Sequence, residues 1–511
     1  MVNGGMTSFT DQNSAGRRRP SVAWSDVRGA RWLPLLTVFA AAIGLRLVVV
    51  ANTDVSWLIT LSEKVLDGQR LYVDLIEINP PGAIILYLPL VALARVLALR
   101  PEVVVDAGVF LAIGASLALA GHILRRARQL DNHDAMRLAA LAAAVLAILP
   151  AQTFGEREHI AVILLLPLFA LWTSRLAGAR QDILAVLAAG LGAGLTLAIK
   201  PQFALGLAPA LIVLVVRTGS WRLLFAPENW VAGTLAAIYG ASVFFFYPAF
   251  VSDITPMIMT TYVPVRHSLF VMLVQCPVLL LAAAQLWLAS SWRPGLLRSP
   301  AMIMFAAAAG GFFLVFVLQG KGWPYHSYPV LAFVHIVLAV ALSGRAPPGP
   351  RRRVEMAALL FGMTALAGAT FYWLNLASSA AMLNEPVRRL VPNPRLLVIS
   401  SDISVGHPLV RQVGGTWVGR VGSLWVTAGV LTRIDREVLD ADTARKLAVY
   451  AERDRATLEQ DIRQNRPDII VIDRVAFDWE AWARADPGLA EQLAAYRAAA
   501  SLDRHVILQR R

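Results

Sequence analysis

Three short polar clusters interrupt an otherwise apolar chain, and each holds side chains able to move a proton or hold a phosphate. The first runs Asn52-Thr53-Asp54-Val55-Ser56-Trp57 and continues to Gly68-Gln69-Arg70-Leu71-Tyr72-Val73-Asp74-Leu75-Ile76-Glu77-Ile78-Asn79-Pro80-Pro81-Gly82. Trp57, Leu58, Leu61 and Val65 recur at helical spacing, with Glu63 and Asp67 opposite. That pattern predicts a helix lying in the membrane interface rather than crossing it. It places Asp54 at the mouth of the first apolar run, where a carboxylate can take a proton from an acceptor hydroxyl. The same carboxylate can bind a divalent cation, magnesium or manganese, that bridges to phosphate, or can simply cap the helix. Asn79-Pro80-Pro81 can likewise be an N-cap and first-turn prolines. Asp74, Glu77 and Asn79 are substrate-binding candidates in this loop.

The second cluster is Gly155-Glu156-Arg157-Glu158-His159, wedged between two apolar runs. Four consecutive ionisable residues at a span boundary exceed what anchoring requires. A guanidinium at Arg157 can grip phosphate oxygens in pairs, and Glu158 and His159 are acid–base or metal-ligand candidates. The plainer reading is a self-neutralising ion-pair set. The third cluster is Lys200-Pro201 with Gln319-Gly320-Lys321-Gly322-Trp323-Pro324-Tyr325-His326. Lys200, Lys321 and His326 are candidates for meeting an anionic headgroup. Snorkelling lysines and an aromatic belt of Trp323, Tyr325 and Tyr328 are the alternatives.

These clusters are positioned by apolar runs near 32–50, 83–99, 103–124, 138–152, 160–176, 183–199, 203–217, 230–250, 269–290, 301–318, 329–343 and 357–376. Several fall short of the ~20 residues that cross a bilayer upright, so about 11–13 transmembrane helices are predicted. Arg17, Arg18, Arg19, Arg28 and Arg31 precede the first run. Arg125, Arg126 and Arg128, then Arg175 and Arg180, Arg217 and Arg222, Arg293 and Arg298, and Arg345 to Arg353 recur at every second loop. Basic clusters stay cytoplasmic, so loops 51–82, 153–159, 251–268, 319–328, the turn at Lys200 and everything after 377 face outward. One conflict arises. Two runs, 83–99 and 103–124, separate an outward loop from an inward cluster, so one of them does not cross, or the arginines at 125–128 break the bias.

After Ala377 the pattern changes. Arg395 to Ser400 and Asp468 to Asp473 read as strands, Ala441 to Arg466 as a charged helix, then another helix and a last strand at His505 to Gln509. Strands alternating with helices predict a small α/β unit. The expected organisation is a cytoplasmic basic tail (1–31), a multispan region (32–377) and a soluble periplasmic α/β domain (378–511).

Composition agrees. The chain has 511 residues, 57% of them apolar and only 16% charged, with a mean hydropathy of +0.58. Soluble proteins carry about 25% charged residues. The net charge of +13 lies in the loop clusters, which argues for topology signals and against nucleic-acid binding. The single cysteine, Cys276, rules out an intrachain disulfide and a cysteine metal site. The polar first thirty residues and the long run after them read as a signal anchor, not a cleavable signal. Phosphate-binding Walker loops, dinucleotide glycine fingerprints, HExxH and Gly-x-Ser-x-Gly are missing from the sequence, which argues against a cytoplasmic nucleotide donor.

An acidic residue just beyond the first run, followed by Gly68, Leu71-Tyr72, Asp74, Glu77 and Asn79-Pro80-Pro81, resembles the membrane-integral glycosyltransferases of the GT-C superfamily. The nearest in look are bacterial relatives of the protein mannosyltransferase and aminoarabinose transferase group. The resemblance implies a GT-C-like multispan core in the inner membrane with its N-terminus in the cytoplasm. It also implies a polyprenyl-phosphate sugar donor and an envelope glycan, lipid or protein acceptor. Carried over, Asp54 matches the catalytic acid at the start of the first loop, and Glu158 looks like the second acidic position. The family commonly pairs two acids at the first position, whereas Val55-Ser56-Trp57 follows Asp54 here, which leaves a metal requirement open.

On this reading Asp54 deprotonates the acceptor hydroxyl, while Arg157, Lys200 and Lys321 stabilise the leaving phosphate. The soluble domain shapes the acceptor side, with Asp402, His407 and Trp417 as its candidates. Two rivals remain: a glycolipid flippase, which requires midplane charges, broken helices or internal repeats, and a non-catalytic subunit of an envelope polysaccharide complex.

Overall fold

The computed structural model describes residues 32–129, 132–292, 298–343, 350–376, 381–475, 477–502 and 504–511. The basic tail 1–31, Arg293, Arg345 and the expected boundary at 377 lie outside them. The first half is built from α1 (Leu33–Arg46), α2 (Thr53–Leu66), α3 (Pro81–Ile85), α4 (Leu88–Leu97), α5 (Pro101–Arg126), α6 (Asn132–Ala147), α7 (Arg157–Leu176), α8 (Ile183–Ile199), α9 (Ala204–Thr218) and α10 (Pro227–Phe246). Two π-helical turns flanking α11 (Thr255–Met257) then lead to α12 (Leu269–Gln275), α13 (Pro277–Trp292), α14 (Pro300–Gln319), α15 (Pro324–Ser343) and α16 (Pro350–Leu374).

Seven of the described helices are long and apolar enough to cross a membrane, or eight if α12 and α13, bent by 85°, form one broken span. Four shorter apolar helices accompany them: Leu33–Arg46, Pro81–Leu97, Ala135–Ala147 and Ile183–Ile199. Leu111, Phe245 and Phe361 stand largely exposed in helix interiors, a surface that only lipid tolerates over such an area. The protein is an all-α polytopic membrane protein with a small C-terminal α/β unit.

The 83–99 run forms two short helices. Pro89 lacks an N–H and interrupts the run, splitting it into α3 and α4. The α3–α4 arm starts beside Asn79 and packs along α2. At its end Arg95 reaches the Glu63 carbonyl (2.7 Å) and the Asp67 carboxylate (2.9 Å). The arm therefore runs alongside α2, and of the two runs in conflict only α5 is long and apolar enough to cross a membrane by itself. Loops expected to point the same way also meet one another. Lys200 meets Glu158, and Lys321 meets the 262–265 segment.

The soluble part continues with α17 (Asn384–Leu390), β1 (Arg395–Ile399), α18 (Leu409–Gln412), β2 (Thr416–Trp417), α19 (Trp425–Arg436), α20 (Ala441–Asn465), β3 (Ile469–Asp473), α21 (Trp479–Ala485), α22 (Pro487–Leu493), β4 (Tyr496–Leu502) and β5 (His505–Arg510). The sheet order is β2-β1-β3-β5-β4, with the first three strands parallel and the last two antiparallel. β1 and β3 are apolar almost throughout because helices cover both faces. β2 and β4 are strands that the sequence pattern did not predict.

This sheet unit rests on α2 and the first loop. Arg411 donates to Glu63 (2.5 Å) and Glu102 (2.7 Å), and Ile76 N–H donates to the Arg420 carbonyl (2.9 Å). The expected interfacial helix is thus covered from above, and Val55 to Ser62 are all buried.

Candidate functional site

The site grows from the N-termini of two helices. α2 is capped by Asn52, whose side chain accepts the Asp54 N–H at 2.8 Å. The capping role considered for Asp54 therefore belongs to Asn52, and Asp54 sits in the first helical turn, where the dipole favours its charge. α7 starts after Gly155, which takes a left-handed conformation (φ +82°) that any side chain would strain. The Gly155 carbonyl accepts the Tyr87 hydroxyl (2.6 Å), which fixes the turn. Arg157 follows as the first residue of α7, fully buried.

Arg157 is the hub. Its guanidinium donates to Asp54 Oδ2 at 2.5 Å and to the Asn79 side-chain oxygen, and Glu156 Oε2 lies 3.6 Å from its Nε. Asn79 in turn donates its backbone and side-chain N–H groups to Glu77 Oε1 (2.7 and 2.5 Å). The Trp57 indole N–H donates to Glu77 Oε2 at 2.5 Å. Asn79 is therefore not a helix cap: Pro80 occupies that position and Pro81 the first helical one. Glu77 is buried in this loop, and burial pushes its carboxyl above the usual range while Asn79, Trp57 and Arg157 oppose the shift.

A second pair lies alongside. Lys200, at the end of α8, donates to Glu158 Oε1 at 2.5 Å, and His326 Nε2 lies 3.7 Å from the same oxygen. Tyr325 joins the two groups, with its ring centroid 6.0 Å from the Arg157 guanidinium carbon and 5.6 Å from Lys200 Nζ. Lys200 is engaged by a buried carboxylate, so snorkelling does not describe it.

Of the residues singled out in the sequence, Asp54, Glu77, Asn79, Arg157, Glu158, Lys200 and His326 come together. Three do not join them. Asp74 forms an exposed pair with Arg70 (2.9 Å), and Arg70 holds its carboxyl down at about 2. His159 lies beneath the turn, accepting the Gly155 N–H (2.9 Å) on Nδ1 and facing the Leu146 carbonyl (2.7 Å) with Nε2, so neither nitrogen is free for substrate. Lys321 donates to the Tyr262 and Val265 carbonyls (2.8 and 2.5 Å) and lies over the Tyr262 ring. Burial and nearby Arg266 push Lys321 down to about 8. In the soluble unit, Asp402 accepts the Ser404 N–H (2.8 Å), while His407 and Trp417 stack against Trp57.

Sequence reasoning passed over Trp57, Glu156 and Tyr325. Tyr325 read as belt, although its place directly before His326 was the available signal. Among the described residues no three His, Cys, Asp or Glu side chains converge as metal ligands. The carboxylates of Asp54, Glu77 and Glu158 each face a cation or an amide instead.

Asp54 is the one acid of the cluster that is not fully buried, with a fifth of its side chain exposed. Nearby, an apolar cavity of about 490 Å³ opens between α3, α4, α5, α7, α8 and α10, lined among others by Gly82, Tyr87, Ile160, Ile199 and Tyr239. Its lining residues Gly82, Ile160 and Ile199 lie within three positions of Asn79, Glu158 and Lys200 in the sequence.

No protein-family model matches the sequence, and no curated protein matches it. The fold is similar to the crystal structure of ArnT from Cupriavidus metallidurans in the apo state, with a TM-score of 0.53. The match covers 94% of this chain and 98% of that one at 15% sequence identity, a likeness of fold.

Proposed function

We propose that this protein is a membrane glycosyltransferase of GT-C type. It passes a sugar from a polyprenyl-phosphate donor to an envelope polysaccharide, lipid or protein at the periplasmic face of the bacterial inner membrane. On this reading residues 1–31 lie in the cytoplasm, 32–377 form the multispan region, and 378–511 lie in the periplasm. One observation carries it: the only partly exposed acid of a buried charged cluster, Asp54, is held at 2.5 Å by the Arg157 guanidinium.

The acceptor hydroxyl gives its proton to the Asp54 carboxylate as its oxygen forms a bond to the anomeric carbon. The bond from that carbon to the phosphate oxygen breaks, and its electron pair leaves with the lipid phosphate. Attack from the opposite face inverts the anomeric centre. Phosphate needs no protonation to leave, so one carboxylate suffices, unlike the acid–base pairs of glycosidases. The N–H groups of Arg157 and Lys200 not engaged by carboxylates meet the growing phosphate charge. Tyr325, lying against both cations, restricts their movement, and Glu158 holds Lys200 in place.

The test is incorporation from a labelled polyprenyl-phosphate sugar pool into native envelope acceptors, in membranes carrying wild type or Asp54→Asn. Loss of about 10²–10⁴-fold in the variant is expected for removal of a general base. Equal incorporation in both would remove Asp54 from the mechanism. A silent wild type with a functioning donor pool would favour the flippase, for which the broken pair α12–α13 is the supporting observation.

A further inference from the structure

We propose that the soluble sheet unit positions the reacting carboxylate through a relay: His407 and Trp417 clamp the Trp57 indole, Trp57 holds Glu77, and Glu77 sets Asn79, Arg157 and finally Asp54. The Trp57 ring centroid lies 4.9 Å from His407 and 6.3 Å from Trp417, and those two rings are 4.6 Å apart. Gly422, from the same soluble unit, approaches so closely that a Cβ there would lie 2.9 Å from the indole. The indole is therefore confined by three residues that belong to the soluble unit, while its N–H points at a carboxylate of the first loop.

His407 is fully buried, and neither ring nitrogen has a hydrogen-bond partner. Burial pushes it down to about 3, so it remains neutral, and its ring packs at a tilt of 55° against Trp57 and 52° against Trp417. A buried ring with unbonded nitrogens is costly, which marks its packing against Trp57 as the contribution it makes.

The polarity of the relay is fixed at Glu77. As a carboxylate it accepts from Trp57 and from both Asn79 N–H groups, which turns the Asn79 oxygen toward Arg157. A protonated Glu77 donates instead. It would compete for the Asn79 oxygen and turn the amide N–H groups onto the guanidinium, releasing Arg157 from its orientation. The charged and titratable groups facing Glu77 are Arg157 from α7, Tyr72 from the same loop and Tyr262 from the second π-helical turn. Of these, only Arg157 is charged near neutrality. Trp57 and His407 thus act as positioning residues: the indole N–H opposes the upward push of burial on Glu77 and fixes the alignment of its carboxyl.

The relay is tested by infrared difference titration of the full chain in lipid nanodiscs, with Glu77→Gln identifying the Glu77 band. Trp57→Phe keeps the packed ring and removes one N–H. Its Glu77 midpoint should rise by about one pH unit, the equivalent of one charge-assisted hydrogen bond. His407→Ala frees the indole and should shift the midpoint the same way, and His407→Phe, which restores a ring, should return it toward wild type. Trp417→Phe provides a second, milder loosening if His407→Ala does not fold.

A kinetic arm rests on the transferase reading. In Trp57→Phe, kcat should fall about tenfold with donor KM within about twofold, and the acid limb of the pH profile should move up with the infrared midpoint. An unchanged midpoint in Trp57→Phe overturns the relay. A shift in Trp57→Phe but in no variant at His407 or Trp417 overturns the role of the soluble unit. Intact titrations with no transfer by the wild type overturn the transferase reading alone.

Discussion

A single acid in the soluble unit shows how burial becomes a pH dependence. Asp454, on α20, is buried and accepts the Thr427 N–H (3.1 Å) and hydroxyl (2.6 Å). Desolvation outweighs these bonds and pushes it up to about 6. Between the ordinary carboxylate range near 4 and this value, the folded state holds a proton that the unfolded state releases. Its contribution to stability is fully present at the acid end and is lost as pH rises through 6. Two units correspond to about 3 kcal/mol at most. Asp454→Asn keeps an acceptor for Thr427 and cannot titrate, so its melting temperature should fall less than that of wild type between pH 4 and pH 7. Parallel melting curves followed by tryptophan fluorescence would show that Asp454 is ionised without cost. At this same scale the site was largely legible. Consecutive charges at a span boundary are conspicuous against apolar sequence, and Arg157, Glu158 and Asp54 meet in space. Trp57 was not legible, because at helical spacing an indole reads as core; only the fold brings Glu77 to its N–H.

Apolar helices surrounded by lipid must pack without a hydrophobic drive between them, and the short apolar helix α8 does so with glycines. Gly190 and Gly194, four residues apart, face α10, where added Cβ atoms would lie 2.6 Å from the Glu228 carbonyl and 2.8 Å from Leu235. Gly192 faces α7 instead, 2.4 Å from the Leu164 carbonyl. α8 is thereby held between the helix that carries Arg157 and the helix that walls the apolar cavity, with Lys200 at its end. Gly190→Ala must move α10 backbone rather than a flexible side chain, at about 1–3 kcal/mol. The expected outcome is a lower melting temperature and weaker Lys200–Glu158 pairing, checked by thermal unfolding in nanodiscs; unchanged melting would mean that α10 shifts freely. Patterning was a good guide to such elements where length and period agree. β1, β3 and β5 were legible as short apolar or alternating runs. β4, Tyr496 to Leu502, was not, because three alanines favour a helix and only pairing with β5 overrides that preference. The 83–99 run was harder to read: its apolarity fits a span, whereas the break before Pro89 leaves two short helices and Arg95 ties the second to α2.

For the molecule as a whole, the question is what keeps the sheet unit seated over α2. Apolar contact around Trp57 is one part, and a set of arginines is the other. Arg411 bridges Glu63 and Glu102, Arg453 grips Asp253 with two bonds (2.5 and 2.7 Å), and Arg433 donates to the Thr260 carbonyl (2.8 Å). These contacts differ in weight. The Arg453–Asp253 pair is well exposed, and exposed pairs contribute about 0–1 kcal/mol. Arg411 is largely buried between two carboxylates that would repel each other without it. Its loss leaves two partly buried charges facing each other, a change of about 1–3 kcal/mol, below the cost of breaking a fully buried pair. Arg411→Met should therefore raise hydrogen exchange in α2 and in 403–424 together, while Arg453→Met leaves both near wild type. The joint rise matters because Trp57 belongs to the first segment and His407 and Trp417 to the second. If exchange in both stays at the wild-type rate in Arg411→Met, apolar contact alone seats the unit. A rise confined to 403–424 would mean that α2 keeps its place without the sheet above it.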